Sequence, residues 1–289
     1  MRYIHTIWDT SSSGSKFIKN VDNKFIVNNY NSYLLSALLV KSYGYEIDLY
    51  CDEKSYELYK NIPYNNIHVV DYSSDNIKSD FWVWCKIKTQ SMINEPYIHI
   101  DGDVFLFNDI LKGKLDDDNY SVVVQSLEDN NTIGEETHTS LYGYGYKLIK
   151  GLKTTKKHRL KRYNLNAYNC GVVGFNDLEL RDKYVELATE VLIDMSENID
   201  EYEKDKYNGL FLIAEQSTLY HTLTNNNVTP FEIIPRHIMN QYVNNWDFYC
   251  VKIGYCHMWG YSKYRNDVKL KIKNKIKKLF PENSKLIIN

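Results

Sequence analysis

The segment Tyr97-Ile98-His99-Ile100-Asp101-Gly102-Asp103-Val104-Phe105 runs a hydrophobic strand directly into two carboxylates. Residues at i and i+2 on extended backbone point to the same side, so Asp101 and Asp103 converge at a strand's carboxyl end. Two carboxylates that close repel unless a cation lies between them, and hard divalent ions prefer oxygen ligands. Gly102 admits a close approach by a ligand or by a second chain segment. The plain alternative is an acidic turn in solvent. Such a turn rarely sits inside apolar runs like Tyr97–Ile100 and Val104–Phe107.

The flanking sequence supplies elements that could position this pair. Tyr3 to Trp8 reads as a first buried strand, Glu46 to Cys51 as a second and Ile67 to Val70 as a third. Asn31 to Ser42 reads as a helix, with Leu34, Leu35, Leu38 and Leu39 on one face and Gly44 as its stop. Short helices are expected at Glu53–Lys60 and Phe81–Ile93, then strands at Tyr97–Ile100 and Ser121–Gln125. Further on come a strand at Val172–Phe175, helices at Arg181–Met195 and Leu210–Leu223, and late strands at Phe231–Ile234 and Val251–His257. Lys150 to Arg162 reads as a basic loop or lid. The alternation of strand and helix predicts an α/β fold with a mixed, mostly parallel central sheet flanked by helices. Ligands of such sheets sit at the carboxyl ends of strands. Residues 1–265 read as one domain. Residues 266–289 read as a C-terminal basic amphipathic helix and tail, with Val268, Ile272, Ile276 and Leu279 at helical spacing.

Composition narrows the function classes. The chain has 289 residues, with Lys+Arg 35 against Asp+Glu 37 and a net charge of −2, so it lacks the basic surplus of a nucleic-acid binder. Charged residues at 25% and hydrophobic residues at 43% fit a globular protein rather than a disordered one. No apolar run approaches the ~20 residues that span a bilayer, and the first residues do not read as a signal peptide. Cys51, Cys85, Cys170, Cys250 and Cys256 are scattered, and we read them as reduced thiols of a cytoplasmic protein. The 26 tyrosines outnumber 10 Phe and 5 Trp together, a surplus that reads first as compositional drift. Several of them crowd the motifs, where a flat apolar ring with a polar tip would suit a polar ligand.

A hydrophobic strand followed by Asp-x-Asp resembles the DxD motif of nucleotide-sugar glycosyltransferases with the GT-A fold, a Rossmann-like architecture. The neighbouring signals resemble the retaining enzymes of family 8, the glycogenin and galactosyltransferase-like group. Upstream, Trp84-Cys85-Lys86-Ile87-Lys88 resembles the helix that turns a basic residue to the diphosphate, with Lys86 where the family usually has Arg. Downstream, Tyr168-Asn169-Cys170-Gly171-Val172 resembles the family's Asn-x-Gly-Val strand, and Ala214-Glu215-Gln216 its Asp-Gln pair. Ile233-Ile234-Pro235 to Asn240 resembles its Leu-Pro…Asn stretch, and His257-Met258-Trp259-Gly260-Tyr261-Ser262-Lys263 its His-x-x-Gly-x-x-Lys motif. These signals keep the family's order. Tyr264-Arg265 stands where the family has Pro-Trp, which marks a divergent branch.

The resemblance implies a metal-dependent hexosyltransferase that moves a sugar from a nucleotide-sugar donor, UDP-linked, to an acceptor with retention of configuration. Asp101, Asp103 and His257 would ligate the ion. An imidazole among oxygen ligands favours Mn²⁺ over Mg²⁺. Lys86, Gly260, Lys263, Asp101, Thr6 and Trp8 would bind the donor and its diphosphate. Gln216, Glu215 and Asn169 would act at the reacting sugar. The acceptor is a carbohydrate, a lipid or a protein. The lysine-rich C-terminal helix either covers the core or touches the inner face of a membrane. Two rival classes remain: a phosphohydrolase of the haloacid-dehalogenase type with Asp101 as nucleophile, and a non-catalytic nucleotide-sugar binder.

Overall fold

A mixed sheet with helices against both faces organises the chain, as seen in a computed structural model. The structure describes residues 1–9, 24–73, 77, 81–115, 120–133, 135–158, 160, 166–198, 208–234, 253–258 and 265–288. The strands are β1 (Arg2–Ile7), β2 (Glu46–Cys51), β3 (Ile67–Val69), β4 (Tyr97–Ile100), β5 (Val104–Leu106), β6 (Val122–Glu128), β7 (Ala167–Phe175), β8 (Phe231–Glu232) and β9 (Tyr255–His257). Seven form one sheet in the order β3-β2-β1-β4-β7-β6-β8. β7 runs antiparallel to β4 and β6, and the remaining pairs are parallel. The carboxyl ends of β1, β4 and β6 and the amino end of β7 therefore share one edge. β5 and β9 form a separate antiparallel pair.

Alternation along each strand divides the interior between the two faces. Ile4, Tyr97, Val122, Val124 and Val173 join one hydrophobic cluster. Their neighbours Tyr3, Ile98, Val123 and Val172 join the other. Burial on both faces explains why these strands read as continuous apolar runs. The first cluster is closed by α3 (Trp84–Ser91), α4 (Leu178–Asn198) and α5 (Thr218–Asn225). The second is closed by α1 (Lys24–Ser42) and α6 (Asn266–Leu279), with β5 and β9. The short helix α2 (Glu53–Tyr59) joins β2 to β3.

Local chemistry accounts for the helix ends that matter. Gly44 sits at φ +82° and its N–H returns to the Lys41 carbonyl at 2.9 Å, a left-handed stop after α1. Arg181 of α4 is buried and donates from Nη1 to the carbonyls of Gln90 and Ile93, closing the last turn of α3. Val268, Ile272 and Ile276 of α6 are buried, and the Asn31 side chain exchanges hydrogen bonds with the Ile288 backbone at 2.8 and 3.1 Å. The apolar stripe of α6 thus faces the core, and the exposed lysines include Lys277 and Lys278. Among the described residues no helix is long and apolar enough to cross a membrane.

Several expectations change. Lys153–Lys157 is a helical turn, not an open loop. Its Thr154 N–H bonds Asp194 of α4 at 2.7 Å, and Lys157 and His158 pair with Glu190. β6 runs on to Glu128 and β7 begins at Ala167, both longer than their apolar stretches alone imply. Helix 208–225 is interrupted by a π-helical turn at Ile213–Ser217. The stretch from Pro235 to Asn240 lies outside the described residues.

Candidate active site

Asp101 follows β4 directly and Asp103 directly precedes β5, and the link between them is a tight turn rather than extended backbone. The Val104 N–H bonds the Asp101 carbonyl at 2.9 Å, and the Asp101 N–H bonds Gly171 of β7 at 2.8 Å. The turn brings the two carboxylates together, and Gly102 makes it fit. A Cβ there would lie 2.2–2.3 Å from the Tyr33 ring of α1. The close approach expected at this glycine is made by a chain segment, and Tyr33 Oη donates to the Thr6 carbonyl at 2.8 Å.

His257 comes from the far end of the chain. β9 pairs with β5 in the register Val104↔His257, and the Met258 N–H bonds the Asp103 carbonyl at 3.0 Å. This pairing sets His257 beside Asp103, with Nε2 3.4 Å from Asp103 Oδ1. One ligand atom each of Asp101, Asp103 and His257 lie within 4.8 Å of one another. His257 Nδ1 is 2.7 Å from Gln125 Oε1, an acceptor that also receives the Tyr255 hydroxyl at 2.6 Å. With Nδ1 engaged by Gln125, Nε2 is the ring atom that faces Asp103. Electron-rich atoms facing one another, with the outer nitrogen of the imidazole held, form a donor set that fits a divalent cation. Gly171 leaves room for this arrangement. A Cβ there would meet Gln125 Oε1 at 2.5 Å and the His257 ring at 2.6 Å.

Lys86, in the first turn of α3, is buried. Its Nζ lies 2.8 Å from Asp101 Oδ1 and 2.6 Å from Glu215 Oε1. Burial pulls the Lys86 ammonium down, and Asp101 and Glu215 outweigh it, so its pKa is raised. Burial pushes Glu215 up to about 7, against the opposing pull of Lys86 and with Asp101 adding to the rise. Asp101 keeps 25% of its side chain exposed where Glu215 keeps 1%, so Asp101 is the carboxylate a ligand can reach.

Beyond Glu215 lies a second buried polar group. Asn169 Nδ2 donates to Glu128 Oε1 at 2.6 Å, and Asn169 Oδ1 accepts from the Gly171 N–H at 2.9 Å. The Tyr142 hydroxyl meets Glu128 Oε2 and also Gln216 Oε1, the latter at 2.6 Å. Glu128, Tyr142 and Gln125 are the members of the site that the sequence did not reveal.

The structure therefore gathers Asp101, Asp103, His257, Lys86, Glu215, Gln216 and Asn169 at one edge of the sheet. Thr6 is buried there with its hydroxyl 3.1 Å from His99 Nε2, so it supports the interior of the site. Trp8 is partly exposed and packs on Tyr72, ring centres 5.8 Å apart. Gly260 and Lys263 lie outside the described residues.

Comparison with solved structures returns the galactosyltransferase LgtC in complex with donor and acceptor sugar analogues, at 13% identity and a TM-score of 0.38 over 73% of this chain and 70% of that one. An active-site mutant of LgtC is similar at 17% identity and a TM-score of 0.34, over 73% of this chain and 70% of that one. No curated protein matches the sequence. A model described as "Family of unknown function (DUF6734)" matches residues 1–289, and the chain belongs to that family.

Proposed function

We propose that the protein is a metal-dependent glycosyltransferase of the GT-A type, taking a sugar from a nucleoside-diphosphate donor. The observation that carries this reading is the convergence of Asp101, Asp103 and His257 on one point at the sheet edge, beside a buried lysine and a buried set of amides and carboxylates. A divalent cation held there, Mn²⁺ by its ligand chemistry, would supply positive charge to the diphosphate oxygens of the leaving group. Lys86 adds fixed positive charge at the same edge, and Lys263 and Gly260 complete the diphosphate contact. Trp8 forms the donor side just beyond the end of β1, and Thr6 supports it from the interior through His99. Gln216 lies at the reacting sugar carbon, Glu215 holds Lys86 in place from the buried side rather than reaching sugar hydroxyls, and Asn169 orients Glu128.

In the retaining reading the bond from the sugar carbon to the phosphate oxygen breaks. A new bond to the acceptor oxygen forms on the same face, and the acceptor's proton passes to the departing phosphate oxygen. The donor is UDP-linked and the acceptor is a carbohydrate, lipid or protein hydroxyl. The exposed lysines of α6 would meet anionic lipid, placing a cytoplasmic enzyme at the inner face of a membrane.

The test is nucleotide release by purified protein with Mn²⁺ and a panel of nucleotide sugars, with and without EDTA. UDP release from one donor, abolished by EDTA, is the expected result. Release of inorganic phosphate from phosphoesters would replace this reading with a phosphohydrolase. UDP-stabilised melting with no turnover on any donor and acceptor would leave a binder.

A further inference from the structure

Tyr142 belongs to the tyrosine-rich stretch Tyr142-Gly143-Tyr144-Gly145-Tyr146 before the basic segment, with no catalytic role read from it, yet its hydroxyl is the meeting point of two functional groups. Its ring is fully buried. Its oxygen touches Glu128 at the carboxyl end of β6 and Gln216 across the site. Both Tyr142 and Gln216 lie on π-helical turns, Thr139–Gly143 and Ile213–Ser217. Such turns are rare and collect at functional sites. One phenol oxygen thus joins two irregular turns.

Proton counting sharpens the point. A tyrosine hydroxyl has one proton to give. Glu128 receives Asn169 on Oε1 and Tyr142 on Oε2, so each carboxylate oxygen is already bonded within the protein. With the phenol proton given to Glu128, the Gln216 group that meets the phenol oxygen is its NH₂, since the two ends of an amide are interchangeable in placement. The other end of the amide makes no hydrogen bond among the described residues. That end is then the carbonyl oxygen, on a residue that keeps 7% of its surface exposed.

We propose that Tyr142 is a positioning residue. Anchored by Glu128, its hydroxyl fixes the Gln216 amide so that the carbonyl oxygen faces the reacting sugar. The inference deepens the glycosyltransferase reading and rests on it for the identity of that ligand.

Tyr142→Phe removes one oxygen and keeps the ring. The direct readout is the side-chain amide ¹H–¹⁵N pair of Gln216, assigned with Gln216→Glu. In Tyr142→Phe the pair should shift and exchange with solvent about tenfold faster or more, as expected for a buried polar group that loses its partner. With an active donor, kcat should fall about tenfold or more while the donor KM stays within about twofold, the pattern of a lost transition-state contact. Affinity for UDP with Mn²⁺ should hold within about twofold, since Tyr142 touches neither. Glu128→Gln should move the Gln216 pair as well, and decides the matter if Tyr142→Phe does not fold. An unmoved Gln216 pair in both variants overturns the proposal, as does unchanged kcat in Tyr142→Phe. If the wild type turns over no donor, the glycosyltransferase reading fails, and the tether is judged by the amide signal alone.

Discussion

At the scale of single residues, two glycines set the site. Gly102 leaves space for Tyr33 and Gly171 leaves space for Gln125 and His257. Gly171→Ala would push a methyl group into the Gln125–His257 hydrogen bond. Disturbing such an outer partner of a metal ligand costs roughly 10- to 100-fold in metal affinity. The expected outcome is a loss of Mn²⁺ affinity in that range by calorimetry, with the far-ultraviolet circular dichroism unchanged. Unaltered affinity would show that the Gln125 contact does not orient His257. The residues that were legible in the sequence share one property: each sits in a short local pattern. Asp101 and Asp103 interrupt an apolar run, Asn169 precedes Gly171, and Glu215 adjoins Gln216. Glu128 and Tyr142 have no such context. Their partners lie 41 and 74 positions away, and only folding brings them together.

At the scale of elements, the apolar runs located the strands but not their full lengths. The reading of β6 stopped at Gln125 because Ser126-Leu127-Glu128 looks polar. The strand continues past an irregularity between Val124 and Ser126, and that extension delivers Glu128 to the edge. Bulges of this kind re-aim side chains next to active sites. β7 likewise starts five residues before Val172, since Asn169 and Gly171 are poor strand formers, yet Asn169 pairs with Ser126 of β6 and the Gly171 carbonyl accepts the Asp101 N–H. The sequence pattern does not mark β5 as a strand, because only its pairing with the distant β9 defines it. The helix bearing Lys86 depends on Arg181. Arg181→Met would leave the Ile93 carbonyl without its donor, while the Gln90 carbonyl keeps the backbone N–H of Ile93 at 3.4 Å, so the cost is about 1–3 kcal/mol for one orphaned buried group. Urea unfolding measures this, and a change below about 0.5 kcal/mol would mean that water or neighbouring groups replace the guanidinium.

At the scale of the whole molecule, the sheet separates two cores, and tyrosine fills much of both. Tyr3, Tyr59, Tyr72, Tyr97, Tyr142, Tyr184 and Tyr255 are among the largest fully buried side chains. Among the described residues these tyrosines serve packing, with phenol tips tied into buried polar groups such as Tyr97–Gln90 and Tyr255–Gln125. Tyr261 and Tyr264 lie outside the described residues. The buried histidines have a consequence for stability. Burial holds His5 down to about 3, with Asp103 opposing, while the ring bonds Tyr64 and Ser36. Burial holds His99 well below its ordinary value, with Lys86 and His5 adding to the effect. The unfolded chain takes up these protons near pH 6.5 and the native state does not. The contribution of the two histidines is therefore full above that pH and falls below it, by about 1.4 kcal/mol per pH unit for each, while Glu215, pushed up to about 7, offsets about one histidine's share below that pH. Urea titrations between pH 8 and pH 5 should show this decline, and His5→Gln should make it shallower. A profile that does not decline would place one or both rings in contact with water.

The central claim is that Asp101, Asp103 and His257 hold a divalent cation on which a nucleoside diphosphate is bound. Calorimetric titration of the protein with Mn²⁺, alone and with UDP, tests it most directly. The account predicts one Mn²⁺ per chain, bound more tightly when UDP is present. It predicts loss of that binding in Asp103→Ala and His257→Ala, each with an intact melting transition. Wild-type protein that binds no Mn²⁺ with or without UDP, or variants that bind as the wild type does, would contradict it.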